Sequence, residues 1–471
     1  MGQRIQLSHL AAAIAAAAVI LAAATALKAQ SGRYGPGHTW WDAGQGGYFS
    51  WDESYENPDG QVNVVNKNGS VQTKDHPFFE PLGGNGRACV TCHQPANAMS
   101  VAAGSLRDRW IETGGRDPIF AAIDGSNCPD LPQQAAASHS LLLEKGLFRI
   151  ALPWPPKAAG GEPVPPEFRI EVVHDPTGCN SSLVYGLSSA HPFVSVYRRP
   201  RVAANLDQIS AGKEGVHFMA DGREPSLESQ AATAILIHEQ ASTRPTGDQL
   251  RRIVEFETQL YAAQGADVRG GLLDEQGGPI ILGPGNLAGG RAGGLARPTD
   301  QMLRMFDPWR KPSGSSDLGL QLEFRASVAR GSDLFFARRF RHRGATFTCA
   351  TCHAGGITRW MDIGTTTAVT ANDSPDLPMF RITCEASAEP HPVFGRAIFT
   401  HDPGRALISG KCADVGSIVL GQIRGLAARA PYFSNGSARS LRDLVEFYDR
   451  RFEIRYTEKE KLDLLNFLRV L

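Results

Sequence analysis

The chain has 471 residues, 42% of them hydrophobic and 20% charged, so it is long enough to bury a sizeable core and to form two domains. Lysine plus arginine and aspartate plus glutamate each number 48. This balance supplies no overall field that attracts nucleic acid or anionic lipid, so neither class of partner is predicted and function must come from local sites.

The N-terminal residues 1–29 are predicted to be a secretory signal peptide. Arg4 precedes an apolar run over residues 10–27, and Ala24-Thr25-Ala26 supplies a cleavage signal. The alternative is an uncleaved membrane anchor, because the run is about as long as a short span, although its many alanines make it weakly hydrophobic. Either way the remaining chain is exported, and a periplasmic location is expected.

Two short segments share the pattern Cys-x-x-Cys-His. In this pattern the thiols lie one helical turn apart and can form thioethers to one porphyrin, while the histidine binds its iron. The alternative is half of a zinc site, but the other histidines show no spacing that would complete one. The sequence therefore predicts two covalently bound haem c groups with a histidine ligand to each iron. The residues are Cys89, Cys92 and His93, then Cys349, Cys352 and His353.

Four further cysteines fall as one pair after each motif. In an oxidising compartment, the simplest pairing is Cys128 with Cys179 and Cys384 with Cys412. One disulfide then lies in each half of the chain, although the sequence alone leaves the other pairings open.

A β-hairpin is predicted in the first half of the chain, residues 30–270. The stretches "LFRIALP" and "FRIEVVHDP", around Leu147 and Phe168, alternate like strands across a proline-rich connection. We expect an insertion held by the Cys128–Cys179 bridge. Residues 271–298 are dense in glycine without an apolar period and are predicted to be a linker.

Helical periodicity dominates the second half, residues 299–471. "LRDLVEFYDRRF" repeats apolar positions at helical spacing, and "TEKEKLDLLNFLRVL" opens with Thr457 and Glu460 as a capping box. The predicted fold class is therefore mainly α, with two c-type cytochrome domains and a small β-hairpin insertion in the first.

Several stretches occur in the order found in one protein family. They are "GNGRACVTCHQP", "DGREPSLESQA", "RGSDLF", "TCATCHAGG" and "RGLAARAPYFSNGSARSLRDLVEFYDRRF". Over most of the mature chain the sequence resembles bacterial di-haem cytochrome c peroxidases and the related MauG-type enzymes. This resemblance implies a two-domain periplasmic enzyme in which the first haem reacts with peroxide and the second relays electrons.

The resemblance also suggests further ligands. The family's distal ligand to the second haem iron falls at Tyr448, and the alternative is that Met361 or Met379 takes this role. A calcium ion commonly lies between the family's domains, held by carbonyls at a position that is Arg429-Ala430-Pro431 here. The positive charge of Arg429 makes calcium a weaker expectation than haem.

The chain departs from the family at two places. Ala220 stands where the family usually has a tryptophan that carries electrons between the haems, directly before Asp221-Gly222-Arg223. Gln240 stands where the peroxidases have a catalytic glutamate. Because no proline breaks the helix, Gln230 and His238 are expected to share one face and to lie at the first haem as catalytic residues. A histidine there can transfer protons near neutral pH or bind the iron.

The leading hypothesis is an exported enzyme, a di-haem oxidoreductase that uses hydrogen peroxide. Its electrons would come from a small soluble donor, such as a cytochrome c or a cupredoxin, or from an oxidisable substrate protein. The alternatives are a non-enzymatic di-haem electron-transfer cytochrome and an oxygen-activating di-haem dioxygenase. A membrane partner is expected only if the N-terminal segment stays uncleaved.

Overall fold

The computed structural model describes residues 40–157, 161–207, 217–290, 299–310, 319–342, 344–353, 360–362, 365–366 and 374–471. The predicted signal peptide lies outside these residues. Within them, no helix is both long enough and apolar enough to span a bilayer.

Antiparallel sheets make up much more of the molecule than predicted. Helix accounts for 34% of the structure and strand for 20%, so the prediction of a mainly α fold is wrong. In chain order, strands β1 to β16 are Tyr48–Phe49, Asp52–Asn57, Gly60–Asn66, Val71–Gln72, Phe148–Pro153, Phe168–His174, Phe193–Arg198, Leu260–Asp267, Gly271–Leu272, Phe340–His342, Ala345–Phe347, Trp360–Asp362, Thr365–Thr366, Met379–Cys384, Ala397–Thr400 and Ser417–Val419.

Helices lie between these strands along the chain. In chain order, helices α1 to α13 are Cys89–Cys92, Ala103–Thr113, Ser140–Lys145, Leu227–Ile237, Gly247–Gln259, Pro284–Ala288, Thr299–Arg304, Asp307–Arg310, Gly319–Ala337, Cys349–His353, Ala406–Ser409, Leu441–Phe452 and Glu458–Arg469.

Two four-stranded sheets explain why the fold class was misjudged. One has the strand order β2-β3-β8-β9, and the other has the order β13-β15-β14-β6. In the first, Val62 and Val64 are fully buried, while the intervening Asn63 donates a hydrogen bond to Asp52 on β2. Strand β3 pairs with β8, about two hundred residues further along the chain. A short alternating stretch indicates a strand but not such a distant partner.

The predicted hairpin is wrong for the same reason. Both of its strands form, but β5 pairs with β7 and β6 pairs with β14. In the second pairing Ile170 lies opposite Ile382, and Phe168 lies opposite Cys384. The predicted insertion therefore joins the two halves of the chain in one sheet.

The two C-terminal helices confirm the prediction from periodicity. Helix α13 begins after Thr457, whose hydroxyl accepts from the Glu460 N–H while the Glu460 carboxylate accepts from the Thr457 N–H. This helix packs closely on α9 at Gly331, where a Cβ atom would come within 2.1 Å of the Asp463 carbonyl oxygen. A side chain at that position would force the two helices apart.

The cysteine pairing is also confirmed. Disulfides join Cys128 to Cys179 and Cys384 to Cys412. The four motif cysteines form no disulfide. In the described part of the predicted linker, Leu273, Ile281, Leu282 and Leu287 are at most 1% exposed and belong to the C-terminal core.

Candidate functional site

The first Cys-x-x-Cys-His motif forms a single helical turn, α1. The Val90 N–H donates to the Phe78 carbonyl, and the Gln94 side chain donates to the Val90 carbonyl and accepts from the Trp41 N–H. His93 Nδ1 lies 3.1 Å from the Met99 carbonyl oxygen, and the Arg201 carbonyl is a second acceptor for this ring. Burial lowers the pKa of His93. The motif is thus tied to neighbouring backbone at both ends.

A buried ion pair links this turn to His238. Arg87, which is 1% exposed, pairs with Asp124, and Asp124 Oδ2 also lies 2.6 Å from His238 Nδ1. Burial alone would raise the pKa of Asp124, but the Arg87 charge and the His238 hydrogen bond hold it below its usual value. The charge of His238 also contributes to the lowered pKa of His93. The structure therefore brings His238 to the first motif.

Gln230 and Gln240 occupy different surroundings. Helix α4 ends at Ile237, so Gln240 lies beyond it and has a left-handed backbone, with φ of 56°. Gln230 is half-buried on α4, and across the described residues no hydrogen bond joins its side chain to the first motif. No described hydrogen bond of Gln230 therefore supports the prediction that Gln230 and His238 share one catalytic pocket.

Glu239 is the site residue that sequence reasoning missed. Its Oε1 lies 3.8 Å from Cys89 Sγ, and its Oε2 accepts from the Leu82 N–H at 3.1 Å. Gly83 permits this approach, because a Cβ there would lie 1.7 Å from the Glu239 carbonyl oxygen. Burial raises the pKa of Glu239 to about 7. A proton-transfer group thus lies beside the first motif, one residue before the position where the family resemblance implied a glutamate.

Glu257 is a second buried carboxyl group near this motif. Its side chain on α5 is 5% exposed, and its Oε2 has no hydrogen-bond partner among the described residues. Burial raises the pKa of Glu257 to about 8. Burial also raises the pKa of the Cys89 thiol, and the negative charge of Glu257 adds to that effect. Ionising this group in the folded state is therefore costly.

The free energy of unfolding should fall as pH rises from about 4.5 to 8. Over this range the unfolded chain loses the Glu257 proton while the folded chain keeps it, so the folded state binds more protons and loses stability with rising pH. Replacing Glu257 with glutamine should remove about 2–4 kcal/mol of this loss at pH 9. Urea unfolding across this range measures it, with Glu255→Gln on the same helix as control. A decline of equal size in Glu257→Gln and the parent would refute this prediction.

Ala220 and the residues after it, at the position where the family usually has a tryptophan, have a structural role. Asp221, which is fully buried, pairs with Arg198 and Arg223 at 2.5 and 2.6 Å. Ala220 is buried, and its carbonyl accepts from the Val419 N–H. This triplet therefore anchors neighbouring segments through charge and backbone bonds.

The second motif lies on α10, with both its histidine and a thiol next to tyrosines. Tyr448 Oη lies 3.5 Å from His353 Nε2, and Tyr456 Oη lies 3.9 Å from Cys349 Sγ. Burial lowers the pKa of His353 to about 4 and raises the pKa of Cys349 to about 11. Burial also raises the pKa of Tyr448, so its hydroxyl stays protonated. Tyr448 thus lies next to the motif histidine.

A cavity of about 380 Å³ opens beside this motif. Its lining includes the motif residues, Tyr448 and several apolar side chains from α9, α12 and α13. Met379 is not in this lining: it is buried on β14. Met361 lies on β12, and its side chain is outside the described residues. Of the residues considered for the distal ligand, Tyr448 lies beside His353 in the lining of the cavity, and Met379 does not line the cavity.

The prediction of two haem c groups is corrected by this structure, which does not support it. Among the described residues, no group of three or more histidine, cysteine, aspartate or glutamate side chains could hold a metal ion. The His93 ring already contacts two carbonyl groups. Among the described residues, the four motif cysteines form no disulfide, and the structure gives no support for a metal site at either motif.

The prediction of calcium is wrong at the position where it was placed. The Arg429 carbonyl accepts from Arg199 Nη2 at 2.9 Å, and the Arg429 guanidinium lies in the same region. Burial lowers the pKa of Arg199, and the positive charge of Arg429 contributes to this lowering. The same repulsion opposes a divalent cation.

Comparison with known proteins adds no further assignment. No protein-family model matches the chain, and no curated protein matches it significantly.

Proposed function

We propose that this chain is an exported oxidoreductase that reduces hydrogen peroxide, the activity implied by the resemblance of its sequence to bacterial cytochrome c peroxidases and MauG-type enzymes. The observation that carries the proposal is the position of Glu239 and His238 around the first motif. Cleavage of a peroxide O–O bond needs a group that removes one proton and returns it to the departing oxygen. Two such groups converge on one segment.

The first motif is the reacting centre in this proposal. Reducing one peroxide molecule to two water molecules consumes two electrons and two protons. Glu239 transfers a proton at the buried side of α1, where its carboxyl group contacts Cys89. His238 transfers a proton at the Asp124 side, where the carboxylate holds the ring in one orientation.

In this proposal the donor delivers its electrons at the second motif, and two one-electron donors with two protons reduce one peroxide molecule to two water molecules. Tyr448 contacts His353 at the wall of an apolar cavity, and a tyrosine that loses an electron can pass its phenolic proton to a neighbouring base. The electrons come from a small soluble donor, a c-type cytochrome or a cupredoxin. Formal neutrality of the chain suits a short-lived encounter with such a donor, since no strong field retains it.

Replacing His238 with alanine should lower peroxide turnover roughly 10²-fold. The full chain is produced with residues 1–29 in place. The oxidation of a reduced c-type cytochrome by peroxide is then measured. His191→Ala is the matched control, because that histidine is exposed. Full turnover in His238→Ala would remove this residue from the reaction, and a parent chain that does not oxidise any donor with peroxide would refute the proposed function.

The pH profile separates a proton-transfer role of His238 from a structural one. If His238 acts on the proton, the variant loses one limb of the profile as well as rate. A variant with a lowered melting temperature and an unchanged profile would show that His238 only supports Asp124.

A further inference from the structure

Strand β6 lies at one end of its four-stranded sheet. The strand order β13-β15-β14-β6 gives β6 a neighbour on one side, and among the described residues no backbone hydrogen bond reaches its other side. The outer edge of a sheet presents N–H and C=O groups that a further strand can pair with. An extended segment of another chain can therefore add to the sheet at β6.

The hydrogen bonds beside β6 show which of its backbone groups face outward. The N–H of Glu385, directly after β14, donates at 2.8 Å to the carbonyl of Glu167, directly before β6. Successive residues of a strand direct these groups to opposite edges, so the odd-numbered residues of β6 face β14. The even-numbered residues present their N–H and C=O groups outward, and these are Phe168, Ile170 and Val172.

The sequence of β6 does little to prevent pairing at this edge. Natural edge strands are often protected by proline, by lysine or by a charge on the inner face. β6 reads FRIEVVH, which contains neither proline nor lysine. Its inner face is apolar: Phe168 is buried, and Ile170 and Val172 pack against the core behind the sheet while staying partly exposed. A strand added beside β6 would cover more of these two side chains.

The outer face of β6 carries two charges of opposite sign. Arg169 Nε lies 3.1 Å from Glu385 Oε1, and Glu171 pairs with Arg381 on β14. The side chain of Arg169 is nevertheless 76% exposed and that of Glu171 is 50% exposed. Each charge therefore has room for a second partner on the free side of the strand.

The order of apolar and charged residues makes β6 complementary to itself. In an antiparallel pairing centred on Ile170, Arg169 of one copy lies opposite Glu171 of the other. Phe168 then lies opposite Val172, so all three outward-facing residues pair. A pairing centred on Arg169 or on Glu171 would instead place like charges opposite each other. We propose that two copies of this chain pair through β6, centred on Ile170, so that their two sheets become one.

The mass of the full chain in solution tests this pairing. Sedimentation velocity over a wide range of concentration should show a reversible dimer. Ile170→Pro removes an N–H that faces outward, away from β14, and the two-fold symmetry of the pair removes it twice. The dissociation constant of the dimer should rise roughly tenfold or more. Association is measured without peroxide or donor, so this inference and the proposed function can fail separately.

A charge swap tests the same interface without a change in the backbone. Glu171→Arg places two arginines opposite each other across the pair and should weaken the dimer roughly tenfold. The double variant Arg169→Glu/Glu171→Arg restores opposite charges and should recover most of the affinity. Both side chains are exposed, so these variants stay informative even if Ile170→Pro does not fold.

Arg381→Gln is the matched control. It removes the partner of Glu171 within the chain, but Arg381 lies on β14, away from the free edge. It should leave the dissociation constant of the dimer unchanged. A parent chain that stays monomeric at every concentration would overturn the inference. A dimer that Ile170→Pro and Glu171→Arg leave equally tight would also overturn it, because the copies would then associate through another surface.

Discussion

Replacing Glu239 with glutamine should lower the rate of peroxide reduction by roughly 10²–10⁴-fold. Glutamine has nearly the same shape and can still accept the Leu82 N–H, but it cannot take up and return a proton. Because the pKa of Glu239 is raised to about 7, the activity of the parent should also change through about pH 7, and the variant should lose that change. Steady-state turnover with a reduced donor, measured from pH 5 to 9, tests both effects.

The neighbouring Gln240 supplies the control for this variant. Its side chain is exposed and accepts from Asn85 Nδ2, so Gln240→Ala should keep the parent's rate and pH profile. Glu239→Gln should also unfold at least as late as the parent above pH 7, since the variant no longer buries an ionising carboxyl group. Unchanged turnover in Glu239→Gln would place proton transfer elsewhere and remove the observation that carries the proposed function.

Replacing Asp124 with asparagine should lower the free energy of unfolding by about 3–5 kcal/mol at pH 7. The change leaves the Arg87 charge buried without its counter-ion and takes a charged acceptor from His238. The pKa of Asp124 is lowered in the folded protein, so the stabilisation is present above the pKa of the unfolded carboxyl and is lost as pH falls through the folded value. The difference between parent and variant should persist at pH 5 and shrink below about pH 4.

An exposed pair shows whether this effect comes from burial. Asp248 pairs with Arg251 on α5, and the two side chains are 66% and 64% exposed. Asp248→Asn should therefore change stability by no more than about 0.5 kcal/mol. Urea unfolding measures both variants. A loss in Asp124→Asn that is no larger than that of Asp248→Asn would contradict the account of a buried pair.

Sequence reasoning succeeded where the deciding interactions are local. The capping box of Thr457 and Glu460 and the apolar period after it lie within a few residues, and α13 forms there. Tyr448, which the family resemblance indicated as a ligand to the second haem iron, lies beside His353. Sequence reasoning failed at the sheets, because nothing in the alternation of Phe168–His174 indicates that its partner strand is Met379–Cys384.

The candidate site shows the same division. His238 could be placed near the first motif by helical spacing, but Glu239 could not, because its inward position follows from the end of α4 at Ile237 and from the close approach of Gly83. Extending the helix as far as Gln240 is wrong, because α4 ends at Ile237 and Gln240 has a left-handed backbone. The arginines in the lining of the cavity, Arg199, Arg201, Arg429 and Arg451, come from three separate segments, so no one segment shows that they share these surroundings.

By itself, the sequence determined the two Cys-x-x-Cys-His motifs, the cysteines left to pair as disulfides, and the last two helices. Each rests on covalent chemistry or on contacts within one or two turns, where neighbours in the chain are neighbours in space. The tertiary structure alone decided which strands pair, which carboxyl groups are buried beside the first motif, and which arginines face the second. Those properties depend on burial and on partners hundreds of residues away, because desolvation and charge act through space and not along the chain.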